Sequence, residues 1–137
     1  MIAEDRTISR EKYSEAKLEA NFLVASPSYL TAVPEPARNG TYVNTSDLTA
    51  TLLKGNRTQF LVVRHTDYSS TQSTPYTVTL PGTSAGDISI PQAGGSLTLH
   101  GRDSKVLVFD YEMNGLNILY SSAEILTWYG LRPALYL

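Results

Sequence analysis

The sequence predicts a mainly β domain, an antiparallel hairpin array or β-sandwich, led by one N-terminal helix. Three observations carry that expectation. From Leu48 onward, short apolar runs recur at intervals of about 8–12 residues. Turn-forming residues separate most of them: Pro81-Gly82, Ala85-Gly86-Asp87, Gly94-Gly95, Gly101-Arg102-Asp103-Ser104 and Asn114-Gly115. No helical segment lies between the runs, so the crossover that parallel strands require is missing.

The helix is expected from about Ser9 to Phe22. Tyr13, Ala16 and Ala20 fall at i, i+3, i+7, and Leu18 and Phe22 form an i, i+4 pair among charged neighbours. Thr7 or Ser9 can cap its start with a side-chain hydroxyl. Ser26-Pro27 ends it, because the residue before a proline is pushed out of the helical region. A loop follows, with Pro34, Pro36 and Asn39-Gly40 as turn signals. Leu48, Ala50 and Leu52 then alternate with threonines. Phe60-Leu61-Val62-Val63 is a continuous apolar run, as expected of a strand covered on both faces. Tyr76, Val78 and Leu80 alternate, as do Ile88 with Ile90 and Leu97 with Leu99. Leu107, Phe109 and Tyr111 follow, then Ile118 with Tyr120, and last Ile125 to Tyr129.

Composition narrows the function. At 137 residues with 42% hydrophobic and 18% charged side chains, the chain suits one folded domain. The formal net charge of -2 comes without a basic stripe to neutralise phosphates, so nucleic acid is not an expected partner. No apolar run approaches the roughly 20 residues of a membrane span. Without cysteine there is neither a disulfide nor a thiolate site. Residues 1–6 lack the apolar stretch of a signal peptide. Yet Asn39-Gly40-Thr41, Asn44-Thr45-Ser46 and Asn56-Arg57-Thr58 are sequons, candidate N-glycosylation sites of the kind a secreted protein carries.

The order of short motifs is more specific than composition. Arg10-Glu11-Lys12-Tyr13-Ser14-Glu15 with Lys17-Leu18 comes first, then Phe60 to His65 with Asp67-Tyr68-Ser69-Ser70. Leu80-Pro81, Thr83 to Gly86 and Ile90-Pro91-Gln92 continue the series. Gly94 to Leu99, Gly101 to Lys105, and Tyr120 to Glu124 with Thr127-Trp128 complete it. In this order they resemble the second domain of fungal family 35 β-galactosidases. The resemblance implies a non-catalytic domain of antiparallel strands, part of it immunoglobulin-like, from a secreted enzyme that hydrolyses terminal β-D-galactosyl residues. It implies a catalytic barrel and later β domains as partners, and no cofactor. Residues 1–25 would be the helical linker that follows the barrel, 26–128 the β domain, and 129–137 a divergent tail. On this reading the chain is a fragment of such an enzyme and is not expected to be active alone.

Residue chemistry gives no catalytic expectation. Retaining β-galactosidases need two carboxylates roughly 5 Å apart; the resemblance places both on barrel strands, and a barrel takes about 200 residues or more. Asp103 is expected to bond backbone N–H groups of its own turn. Asp110 and Glu112 are expected to share a solvated strand face, opposite Phe109 and Tyr111. Glu124 is expected to guard a strand edge or to form an interdomain ion pair. His65 and His100 lack metal-ligand spacing, and the serines and threonines of 69–74 read as a polar turn. The alternative to a structural domain is a free-standing carbohydrate-binding sandwich. Trp128 with Tyr129 would then be its sugar platform, against the simpler expectation that such rings fill core or interface.

Overall fold

The computed structural model describes Thr7 and residues 10–128. Ser9, one of the two candidate caps, and the tail 129–137, including Tyr129, lie outside these residues. Helix α1 runs Arg10–Ala25, three residues beyond the expected Phe22, and stops at Ser26-Pro27. Pro27 then opens a single further turn, α2 (Pro27–Leu30), where its fixed φ suits the first helical position.

Ten strands follow. The main sheet has the order β1-β3-β4-β9-β10, from Val33–Pro34, Leu48–Lys54, Gln59–His65, Ser104–Met113 and Leu116–Ser121; β2 (Arg38–Asn39) also pairs with β3. Two small sheets complete the β structure: β5 (Ser73–Tyr76) with β8 (Leu97–His100), and β6 (Val78–Thr83) with β7 (Gly86–Ile90). Every pairing is antiparallel, as the absence of crossover segments requires. Tyr76, Val78 and Leu80, which alternate like one strand, belong to two. The chain breaks at Thr77, where Asn44 grips the backbone: the Thr77 N–H donates to Asn44 Oδ1 at 2.8 Å, and the Asn44 N–H to Thr77 O at 3.3 Å.

The main sheet is covered on both faces. One face packs on the two small sheets through Leu52, Leu61, Val63, Leu107 and Phe109, which meet Tyr76, Val78, Leu80, Ile90 and Leu99. The other carries Phe60, Val108 and Tyr111 under Phe22, Tyr29 and Trp128. Phe60 and Leu61 are both fully buried because they point to opposite faces, so the continuous apolar run of β4 is explained. Phe60 sits among rings, 5.0 Å from Tyr29, 6.1 Å from Phe22 and 6.4 Å from Tyr111 between centroids, all edge-on. That geometry favours the ring quadrupoles.

β9 does not keep its alternation. Asp110 has φ +45°, a left-handed conformation in mid-strand. Phe109 therefore faces the small sheets, whereas Tyr111 faces the helix, contrary to the expectation that they share a side. The β9–β10 hairpin closes on Asn114 (φ 49°) and Gly115 (φ 86°), both positive as a tight two-residue hairpin turn demands. At the β3–β4 turn a Cβ on Gly55 would come within 2.7 Å of Thr58 O, so the close approach requires glycine there.

Candidate functional site

A cleft of about 840 Å³ lies between one end of the main sheet and the β6–β7 hairpin. Its walls come from segments distant in sequence. Glu35, following β1, is fixed by its backbone N–H to Leu52 O at 2.8 Å. Its carboxylate meets Lys54 Nζ at 2.6 Å and accepts the Tyr42 hydroxyl at 3.2 Å. The Lys54 hydrogen bond, then that of Tyr42, holds the Glu35 carboxyl below the usual carboxylate range. The same bond raises Lys54, while burial, followed by Glu35, raises the Tyr42 hydroxyl. Across the cleft Arg57 lies 3.6 Å from Glu112. Asp110 accepts the Ser84 N–H at 2.9 Å and the Ser84 hydroxyl, which ties β9 to the β6–β7 hairpin.

The left-handed turn at Asp110 changes the expected reading of this pair. Asp110 and Glu112 both line the cleft, but Asp110 is half-buried and engaged by Ser84, and Glu112 is held by Arg57. Asp110 thus departs from the expected solvated face, whereas Glu112 stays exposed as expected. Asp103 also differs: its turn closes by a backbone bond, Asp103 N–H to His100 O at 2.9 Å. The carboxylate turn expected there is made by Asp67, whose Oδ1 accepts the Ser69 N–H at 2.9 Å and the Ser69 hydroxyl at 2.7 Å. These bonds lower the Asp67 carboxyl, the hydroxyl contributing most. Glu124, exposed, pairs with Lys105 at 3.3 Å.

The histidines are separate. Buried His65 bonds Thr74 Oγ1 through Nε2 at 3.0 Å, leaving a buried Nδ1 with no partner among the described residues. Exposed His100 bonds the Ser73 hydroxyl at 2.9 Å across the β5–β8 pair. Among the described residues no three His, Asp or Glu side chains are grouped to hold a metal ion. None of the described helices is long and apolar enough to cross a membrane.

Trp128 packs on the helix face. Its indole N–H donates to Ala25 O at 2.9 Å and to the Tyr111 hydroxyl at 3.0 Å. Tyr111 in turn bonds Ala25 O and the buried Ser26 hydroxyl. The ring thus joins the end of α1 to the sheet, half-buried against Phe60 and Tyr111. Asn39, Asn44 and Asn56 are all exposed. Asn39 Oδ1 accepts the Thr49 hydroxyl at 2.8 Å, whereas the hydroxyl of Thr58, in the third sequon, is buried and accepts the Glu112 N–H at 3.1 Å. Glu35, Tyr42, Lys54, Arg57, Gln59 and Asn117 were not singled out from the sequence. The one local signal was the Gly55-Asn56-Arg57 turn; the rest meet only after folding.

A family profile described as "Beta-galactosidase, domain 2" matches residues 31–137. The match thus runs through the segment expected to diverge. Among curated relatives, "Probable beta-galactosidase A" of Emericella nidulans is 59% identical over 128 residues, covering 93% of this chain. "Beta-galactosidase A" of Aspergillus oryzae and of Aspergillus niger are each 57% identical over the same length and share of this chain. The matched stretch is 13% of each of these three relatives. With that match, the antiparallel β architecture and the ordered motifs agreeing, the chain belongs to the β-galactosidase domain 2 family.

Proposed function

We propose that this chain acts as a non-catalytic structural domain of a β-galactosidase, packing beside the catalytic barrel and further β domains of a polypeptide that hydrolyses terminal β-D-galactosyl residues. The observation that carries the proposal is the apolar surface left on the helix side of the domain. Val24 is 84% exposed and Leu30 69%, with Tyr13, Leu18 and Leu126 also open. A groove of about 310 Å³ runs beside them, floored by Leu18, Phe22, Val106, Ile125 and Leu126. Leu18 and Leu126 line this groove together, and contiguous exposed apolar surface of this kind marks a surface that meets a partner. The relatives' length supports the same reading, since most of each lies outside the matched stretch.

The test is complementation. Aspergillus niger β-galactosidase A, with its matching segment deleted, is co-expressed with this chain. Recovery of soluble, active enzyme is expected, and Val24→Glu or Leu30→Glu should abolish it without lowering the melting temperature of the chain itself. Recovery that ignores both substitutions would refute the helix side as the packing surface. In a secreted parent, Asn39, Asn44 and Asn56 are the proposed glycan acceptors. Asn56 would have to be modified before β4 and β9 pair, because pairing buries Thr58.

A further inference from the structure

We infer that the cleft at the end of the main sheet is a binding site for a neutral saccharide. The inference goes beyond the packing role and rests on different residues. At about 840 Å³ the cleft falls within the usual range of small-ligand sites, about 300–1,000 Å³. Charge defines what can enter. Lys54 is paired with Glu35 and Arg57 with Glu112, while Asp110 is bonded to Ser84. With each cation beside a carboxylate the lining presents little net charge to draw an ion, whereas a neutral ligand can share the free edges of these pairs.

The unused hydrogen-bonding capacity is of the matching kind. The side-chain amides of Gln59 and Asn117 line the cleft and make no hydrogen bond among the described residues. Each amide offers donors and an acceptor together, as each sugar hydroxyl does. Paired guanidinium and carboxylate groups keep further donors and acceptors at their edges. Leu116, 67% exposed, and Pro81 give an apolar strip against which the C–H face of a pyranose can lie. Arg57 (φ 63°) and Asp110 (φ 45°), both in the lining, hold left-handed conformations that non-glycine residues rarely keep. Such conformations concentrate where a site must be held in shape.

The full 137-residue chain, labelled with ¹⁵N, should be titrated with methyl β-galactoside, with a β-linked galacto-oligosaccharide and with inorganic phosphate. Saturable shifts are expected for the Gln59 and Asn117 side-chain amides and the Gly55 and Gly82 backbone amides with saccharide, and not with phosphate. Asn117→Ala should weaken the oligosaccharide about fivefold or more, a loss on the order of one hydrogen bond. Arg57→Gly, which suits the positive φ, should do the same, and Ser73→Ala, at the far β5–β8 pair, should bind like the wild type. Absence of saturation, shifts scattered over the surface, an equal response to phosphate, or unchanged affinity in both cleft variants would each overturn the inference. None of these results depends on the complementation experiment, so the two readings stand or fall separately.

Discussion

Replacing Phe60 by Ala tests whether the helix side of the sheet is a true second core. Phe60 is fully buried on the face away from the small sheets. Three rings, Phe22, Tyr29 and Tyr111, meet it edge-on. Truncating a buried Phe to Ala costs about 3–5 kcal/mol. The upper half of that range is expected, since edge-on ring pairs add about 0.5–1.5 kcal/mol each beyond area. Phe60→Leu keeps most of the volume and should cost less than about 1.5 kcal/mol. Urea unfolding is the assay, followed by circular dichroism and by the fluorescence of Trp128, the single tryptophan, which packs in the same cluster. Both probes should move to lower urea together, because Phe60 and Leu61 share β4 between the two cores. A loss below about 1 kcal/mol for Phe60→Ala, or a shift of the tryptophan signal alone, would show that α1 and α2 rest loosely on the sheet.

The other expectations are narrower. Tyr111→Phe should lose about 1–3 kcal/mol in the same urea assay, because the buried Ser26 hydroxyl loses its partner. Asp110→Asn should be tolerated better than Asp110→Ala in thermal melts, since Asn shares the left-handed tolerance of Asp. The Glu35 carboxyl, lowered by Lys54, contributes stability above its unfolded titration range that disappears as acid carries the pH down through its folded value. A carboxyl-detected titration should place its midpoint below the usual range and move it back toward that range in Lys54→Met, with Tyr42 still lowering it. The purified chain should not hydrolyse a chromogenic β-galactoside above buffer background, and turnover that vanished on changing one of its own residues would refute the structural role.

How far the fold can be read from the sequence depends on whether a residue's neighbours are local. The helix stop was legible because Ser26-Pro27 acts on its own backbone. The doubly covered strand was legible because four consecutive apolar residues cannot all face one side. Tyr76-Thr77-Val78 misled for the opposite reason. Its spacing is that of one strand, and what divides it is Asn44, more than thirty residues away, bonding Thr77.

Asp110 shows the same limit where it matters for the site. Alternation along β9 assigns Phe109 and Tyr111 to one face, and no property of the local sequence contradicts that. The left-handed turn becomes affordable only when Ser84, on another hairpin, supplies two donors to the carboxylate. One strained residue then has two consequences. It turns Tyr111 toward Ser26, Ala25 and Trp128, fastening the helix side that is proposed to meet the rest of the enzyme. It also brings Asp110 into the cleft inferred to hold a saccharide. The two surfaces are therefore linked through adjacent residues of β9, although they lie in separate clusters. A substitution that relieves the turn at Asp110 should disturb both together, whereas one at Leu30 or Asn117 should reach only its own.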